Sequence, residues 1–193
     1  GVNTIIGREA GAAITSTGNT VLIGYAAGGA INHTDANGTV AIGYQALQSL
    51  TSGQQNIAIG YHAGYSNLIS HRNVFIGYEA GYNQLGTESY GDNTFIGYRA
   101  GYSTSDSGFQ RSVAIGAYAG DNSSNSRNTI VGFYAGRYAG SSNVVIGQQA
   151  GLAQATQGLG QFRAGLAGQQ IGMGQASEGV LGTNISRLGS LGA

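Results

Sequence analysis

A single nine-residue phrase constrains this chain more than anything else in it. It reads Asn73-Val74-Phe75-Ile76-Gly77-Tyr78-Glu79-Ala80-Gly81 and returns as Asn93-Thr94-Phe95-Ile96-Gly97-Tyr98-Arg99-Ala100-Gly101 and as Asn56-Ile57-Ala58-Ile59-Gly60-Tyr61-His62-Ala63-Gly64. Its central glycine recurs at Gly7, Gly24, Gly43, Gly60, Gly77, Gly97, Gly116, Gly132 and Gly147, nine copies with steps of 17, 19, 17, 17, 20, 19, 16 and 15 residues. One strand-like phrase per period is the pattern of a solenoid, in which each copy forms a coil that buries its apolar residues against its neighbours.

The columns of the repeat specify the coil. Directly before the marker glycine stand Ile6, Ile23, Ile42, Ile59, Ile76, Ile96, Ile115, Val131 and Ile146; three before it stand Thr4, Val21, Val40, Ile57, Val74, Thr94, Val113, Thr129 and Val144. All are β-branched and two apart, so they share a strand face. That face is expected to be the coil interior. Between them runs Ile5, Leu22, Ala41, Ala58, Phe75, Phe95, Ala114, Ile130 and Val145, expected to point away from the coil. A strand apolar on both faces is buried on both, and one coil has only one interior. The second face therefore calls for a partner chain, and a homotrimer about an axis encloses a compact core.

After the glycine come Tyr25, Tyr44, Tyr61, Tyr78 and Tyr98, then a freely varying column (Glu9, Ala26, Gln45, His62, Glu79, Arg99, Tyr118, Tyr134, Gln149) that reads as solvent-exposed. An alanine column from Ala10 to Ala150 fills every copy, as a cramped inner corner demands, and glycine follows in eight copies, with Leu47 the exception. Variable Gly-, Ser-, Asn- and Asp-rich segments complete each coil and absorb the differences in repeat length. Asn3, Asn56, Asn73, Asn93, Asn128 and Asn143 open their strands, which predicts a hydrogen-bonded asparagine ladder. The chain opens inside a copy of the phrase, so a fragment of a longer protein is expected.

Composition narrows the function. Eight arginines balance eight carboxylates, lysine and cysteine are absent, and only 8% of residues are charged. This disfavours nucleic acid, whose phosphates require a basic surface. No apolar run is long enough to span a membrane. Histidines 33, 62 and 71 fall in turns or the varying column and read as surface residues; no inward column offers a metal ligand. The acidic residues are scattered over loops, and no repeat supplies the carboxylate pair that glycoside hydrolysis needs. Neither enzyme activity nor a cofactor is expected.

The phrase Ser112-Val113-Ala114-Ile115-Gly116, nearly repeated at Thr39-Val40-Ala41-Ile42-Gly43, resembles the head repeat of trimeric autotransporter adhesins, the YadA-like heads. The longer form Asn93-Thr94-Phe95-Ile96-Gly97-Tyr98-Arg99-Ala100-Gly101 is similar to repeats of phage tail-fibre and related virion fibre proteins. The autotransporter repeat is shorter and lacks the Tyr-x-Ala-Gly extension, which favours the phage-type fibre. The resemblance covers residues 1–151 and implies a homotrimer of left-handed parallel β-rolls whose apolar strands meet at a three-fold axis. It implies a structural fibre protein on the virion surface, with other virion proteins at one end and a cell-surface glycan or protein as receptor. The alternative is the head fragment of a bacterial surface adhesin; a glycan-cleaving tailspike ranks third, and an ice-binding solenoid, which would show flat threonine arrays, ranks last.

The expected fold is thus an all-β solenoid over residues 1–151, followed over 152–193 by a Gly-rich helical or coiled-coil segment. In the latter, Leu152, Leu159, Leu166, Met173 and Val180 are seven apart, each preceded by glycine. Within the trimer and coil core the reading places Ile23, Ile42, Ile59, Ile76, Ile96, Ile115, Phe75, Phe95 and Leu22. Tyr65, Tyr82, Tyr102 and Tyr138 are candidate surface contacts: aromatic rings suited to stacking on sugars, or else rings that cap the coil edges and pack on neighbouring coils.

Overall fold

The structure, a computed structural model, describes residues 1–83, 91–102, 110–122, 126–137 and 139–147. The helical stalk expected over 152–193, and Tyr138, lie outside the described residues. The described part is an all-β parallel solenoid. Its strands are β1 (Asn3–Ile6), β2 (Thr20–Ile23), β3 (Val40–Ile42), β4 (Ile57–Ile59), β5 (Val74–Ile76), β6 (Thr94–Ile96), β7 (Val113–Ile115), β8 (Thr129–Val131) and β9 (Val144–Ile146). They form one sheet in chain order. A 3-10 turn, Thr34–Ala36, is the sole helical piece among the described residues.

Register explains why the repeat reads so cleanly. Strand β4 pairs with β5 in parallel through Ile57 with Val74, Ala58 with Phe75 and Ile59 with Ile76, and the other seven pairs follow the same rule. Each column of the sequence is therefore a column in space. Backbone pairing continues past the strands: the His62 N–H donates to the Tyr44 carbonyl at 2.9 Å and that of Glu79 to Tyr61 at 2.8 Å. At the next corner the Gly64 N–H donates to the Ala80 carbonyl at 2.9 Å. Coil-to-coil bonds thus satisfy backbone groups at the corners as well as in the strands.

The structure exchanges the two expected faces. Leu22, Ala41, Ala58, Phe75, Phe95, Ala114 and Ile130, expected to point outward, fill the coil and are essentially inaccessible. The β-branched pairs point away from it: Ile23, Ile42, Ile76 and Ile96 are half-buried, and Ile59 and Ile115 are exposed. Alternation shows which residues share a face and carries no sign when both faces are apolar. Coil width supplies the sign. A strand of three residues turns only its middle side chain inward, opposite the alanine column, which is buried from Ala27 to Ala135.

That interior is filled by compensation along the stack. Phe75 and Phe95 pack with ring centroids 5.7 Å apart. A Cβ on Gly81 would collide with Phe75, and one on Gly101 with Phe95, so the corner glycines make room for the rings. Where the middle column shrinks to Ala41 and Ala58, Leu47 replaces the corner glycine and is buried with Leu50. It adopts φ +48°, a strained left-handed conformation for leucine.

The predicted asparagine ladder is present. The Oδ1 of Asn56 accepts from both the N–H and the Nδ2 of Asn73 at 3.0 Å, and the Oδ1 of Asn73 accepts from the same two groups of Asn93 at 3.1 and 3.0 Å. Ser112 substitutes for one rung, its N–H donating to Asn93 and its Oγ accepting from Asn128. Asn73 is buried, so Asn73→Ala leaves the Asn93 backbone N–H without its acceptor. Loss of about 2–3 kcal/mol of unfolding free energy is expected, measured by denaturant titration.

Candidate functional site: an apolar sheet face and its tyrosine ladders

With the coil core closed, the outward sheet face stands out. Its two columns contain only Ile, Val and Thr and carry no charge. Neighbouring strands shield each side chain along the stack, yet Ile57, Ile59 and Ile115 remain 36–38% exposed. A contiguous uncharged apolar band of this kind, repeated over nine strands, is the type of surface at which proteins meet partners. It brings together the six isoleucines singled out from the sequence and separates them from Leu22, Phe75 and Phe95.

Beside this face the residues after the marker glycines form a ladder. Tyr25, Tyr44, Tyr61, Tyr78 and Tyr98 stack in order, with centroids 5.2, 5.0, 5.1 and 5.1 Å apart. A second ladder joins Tyr65, Tyr82 and Tyr102 at 5.1 and 5.2 Å. Ring faces within both ladders are turned toward one another, so the interior rungs offer edges and hydroxyls to solvent. The first ladder was legible as five consecutive tyrosines in one column, but its rings were not among the candidate contacts.

Between the ladders lies the column read as solvent-exposed; Glu9 is exposed as read, and from Ala26 onward the reading needs correction. His62, Glu79, Arg99, Tyr118 and Tyr134 are half-buried, with φ between +51° and +57°. The left-handed corner lays each side chain across the groove between the ladders. The His62 ring lies 4.0 Å from that of Tyr61 and 4.8 Å from that of Tyr65, and its Nε2 is 2.7 Å from the Gln45 Oε1. Burial makes its imidazolium less favourable and lowers its pKa, against the pull of Glu79. The Arg99 guanidinium sits 3.9 Å over the Tyr102 ring, a cation–π contact, and its Nε is 3.4 Å from Glu79. Chemical variety in this column reflects different ways of bridging the ladders.

Where the second-ladder column holds Ala12, Gly29 and Gln48 in place of tyrosine, a shallow depression of about 370 Å³ opens, also lined by Glu9, Ala26 and Ala30. Glu9 is the one titratable group in its lining. Elsewhere Asp92 is held below the usual carboxylate range by a hydrogen bond from Arg72 at 2.6 Å. Burial raises the pKa of Asp121 despite Arg137 and Arg99 nearby. His33 is exposed, and the Nδ1 of His71 accepts from the Gln54 N–H at 3.0 Å. No group of three or more metal-ligating side chains occurs among the described residues, and no helix among them is long and apolar enough to cross a membrane.

No protein-family model, curated protein or solved structure matches this chain.

Proposed function

We propose that the chain is a structural fibre protein of a phage virion, with three copies packed side by side as a left-handed trimeric β-roll shaft. One observation carries the reading: the uncharged β-branched face stays open although the coil core is already complete. Such a face is satisfied by another copy of itself about a symmetry axis, and burying a half-exposed Ile or Val contributes on the order of 1 kcal/mol. Nine strands at a sheet spacing of ~4.8 Å make the shared face roughly 38 Å long. The virion setting is supported by the likeness of the Asn93–Gly101 phrase to virion fibre repeats. Host attachment falls to surfaces turned from the axis, where the loops and the groove between the ladders lie.

Charge on the face tests this. The double substitution Ile59→Asp with Ile96→Asp touches no residue of the coil core. It is expected to dissociate the assembly in sedimentation while the β-sheet circular dichroism persists. An assembly that survives both carboxylates would mean that the sheet face is not the interface.

A further inference from the structure

The first tyrosine ladder has chemistry that its packing role does not use. From Tyr44 to Tyr98 the four rings are parallel within 7° at each step and 5.0–5.1 Å apart. Because the coil repeat relates them, the ortho carbons of each ring stand beside the equivalent carbons of the next. All four rings are 41–44% exposed, so a diffusing oxidant or a peroxidase can reach them. The chain contains no cysteine and no tryptophan, the side chains that would otherwise compete for loss of an electron.

We propose that this ladder is an oxidative cross-linking site at which successive coils are stapled by dityrosine, with hydrogen peroxide and a haem peroxidase as the oxidising system. Each of two neighbouring phenols loses one electron and its hydroxyl proton, giving two phenoxyl radicals. The radicals join through one ortho carbon each, forming a carbon–carbon bond, and the two ortho hydrogens shift to oxygen to restore both phenols. The two electrons and two protons released convert one hydrogen peroxide to two waters. A ring couples to one neighbour, so Tyr61–Tyr78 competes with both Tyr44–Tyr61 and Tyr78–Tyr98, while those two can form together. The product ties residues 17 or 20 apart, as a disulfide would in a chain that has cysteine. These contacts lie within one chain, so the coupling itself needs no second copy.

The test treats the full chain with hydrogen peroxide and a haem peroxidase, then follows dityrosine fluorescence, denaturing electrophoresis and peptide mass mapping. The expected result is a fluorescent product at single-chain mass, with cross-linked peptides two hydrogens lighter that join neighbouring rungs. Tyr61→Phe keeps a ring in the stack but removes the Tyr44–Tyr61 and Tyr61–Tyr78 products, leaving Tyr78–Tyr98. Dityrosine found only between chains, or the same pairs formed equally in denaturant, would overturn the proposal, as would its absence.

Discussion

Gly77→Ala is expected to cost far more than one added methyl group suggests, on the order of 2–6 kcal/mol of unfolding free energy. Two separate penalties combine. Gly77 has φ +132°, a region essentially closed to residues with a Cβ, which adds roughly 1–3 kcal/mol. The new Cβ would also stand 2.5 Å from the Gly97 carbonyl oxygen and 2.8 Å from its carbon. Backbone cannot yield as a flexible side chain does, and overpacking adds about 1–3 kcal/mol more. The marker glycines stack on one another in this way along the sheet, so separating one pair disturbs strand pairing on both sides. Gly147→Ala is the control: φ there is +99°, but nothing among the described residues lies within 4 Å of its added Cβ. Denaturant titration is expected to place Gly147→Ala well above Gly77→Ala in stability. Equal losses would show that stacking contributes nothing beyond backbone strain.

The second large effect separates the two faces. Phe75 is wholly buried and packs on Phe95, so Phe75→Ala opens a cavity in a coil too narrow to collapse around it. A loss of about 3–5 kcal/mol is expected. Ile76, next in sequence, lies half-buried on the outward face. In the isolated chain Ile76→Ala is expected to cost on the order of 1 kcal/mol, with its larger effect on assembly. Chemical unfolding of the two variants at low concentration, compared with sedimentation at high concentration, distinguishes the roles. A chain more damaged in folding by Ile76→Ala than by Phe75→Ala would return the β-branched column to the interior.

That contrast marks what was legible in the sequence. The coil period, the strand positions, the alanine corner and the asparagine ladder all followed from residue type at fixed spacing, because stacking turns each sequence column into a spatial one. The sign of the strand faces did not follow. Val21, Leu22 and Ile23 are all apolar, and only the three-dimensional width of the coil decides that Leu22 alone turns inward. Nor did the left-handed column: Glu79 and Arg99 look like surface residues by type, and their backbone conformation lays them between two ladders. Stacking of the tyrosines was visible as a column, whereas the turning of ring faces toward one another depends on the 5 Å coil spacing.

Exchanging the faces leaves the case for a partner intact and changes which residues meet it. Phe75 and Phe95 close the coil, and Ile59, Ile76 and Ile96 are the residues that the proposed trimer would bring to its axis. The most direct test is the mass of the full chain in solution by light scattering. A trimeric shaft gives a particle of three chains at 19.5 kDa each, unchanged on dilution through the micromolar range. A stable, folded species with the mass of one chain would contradict it.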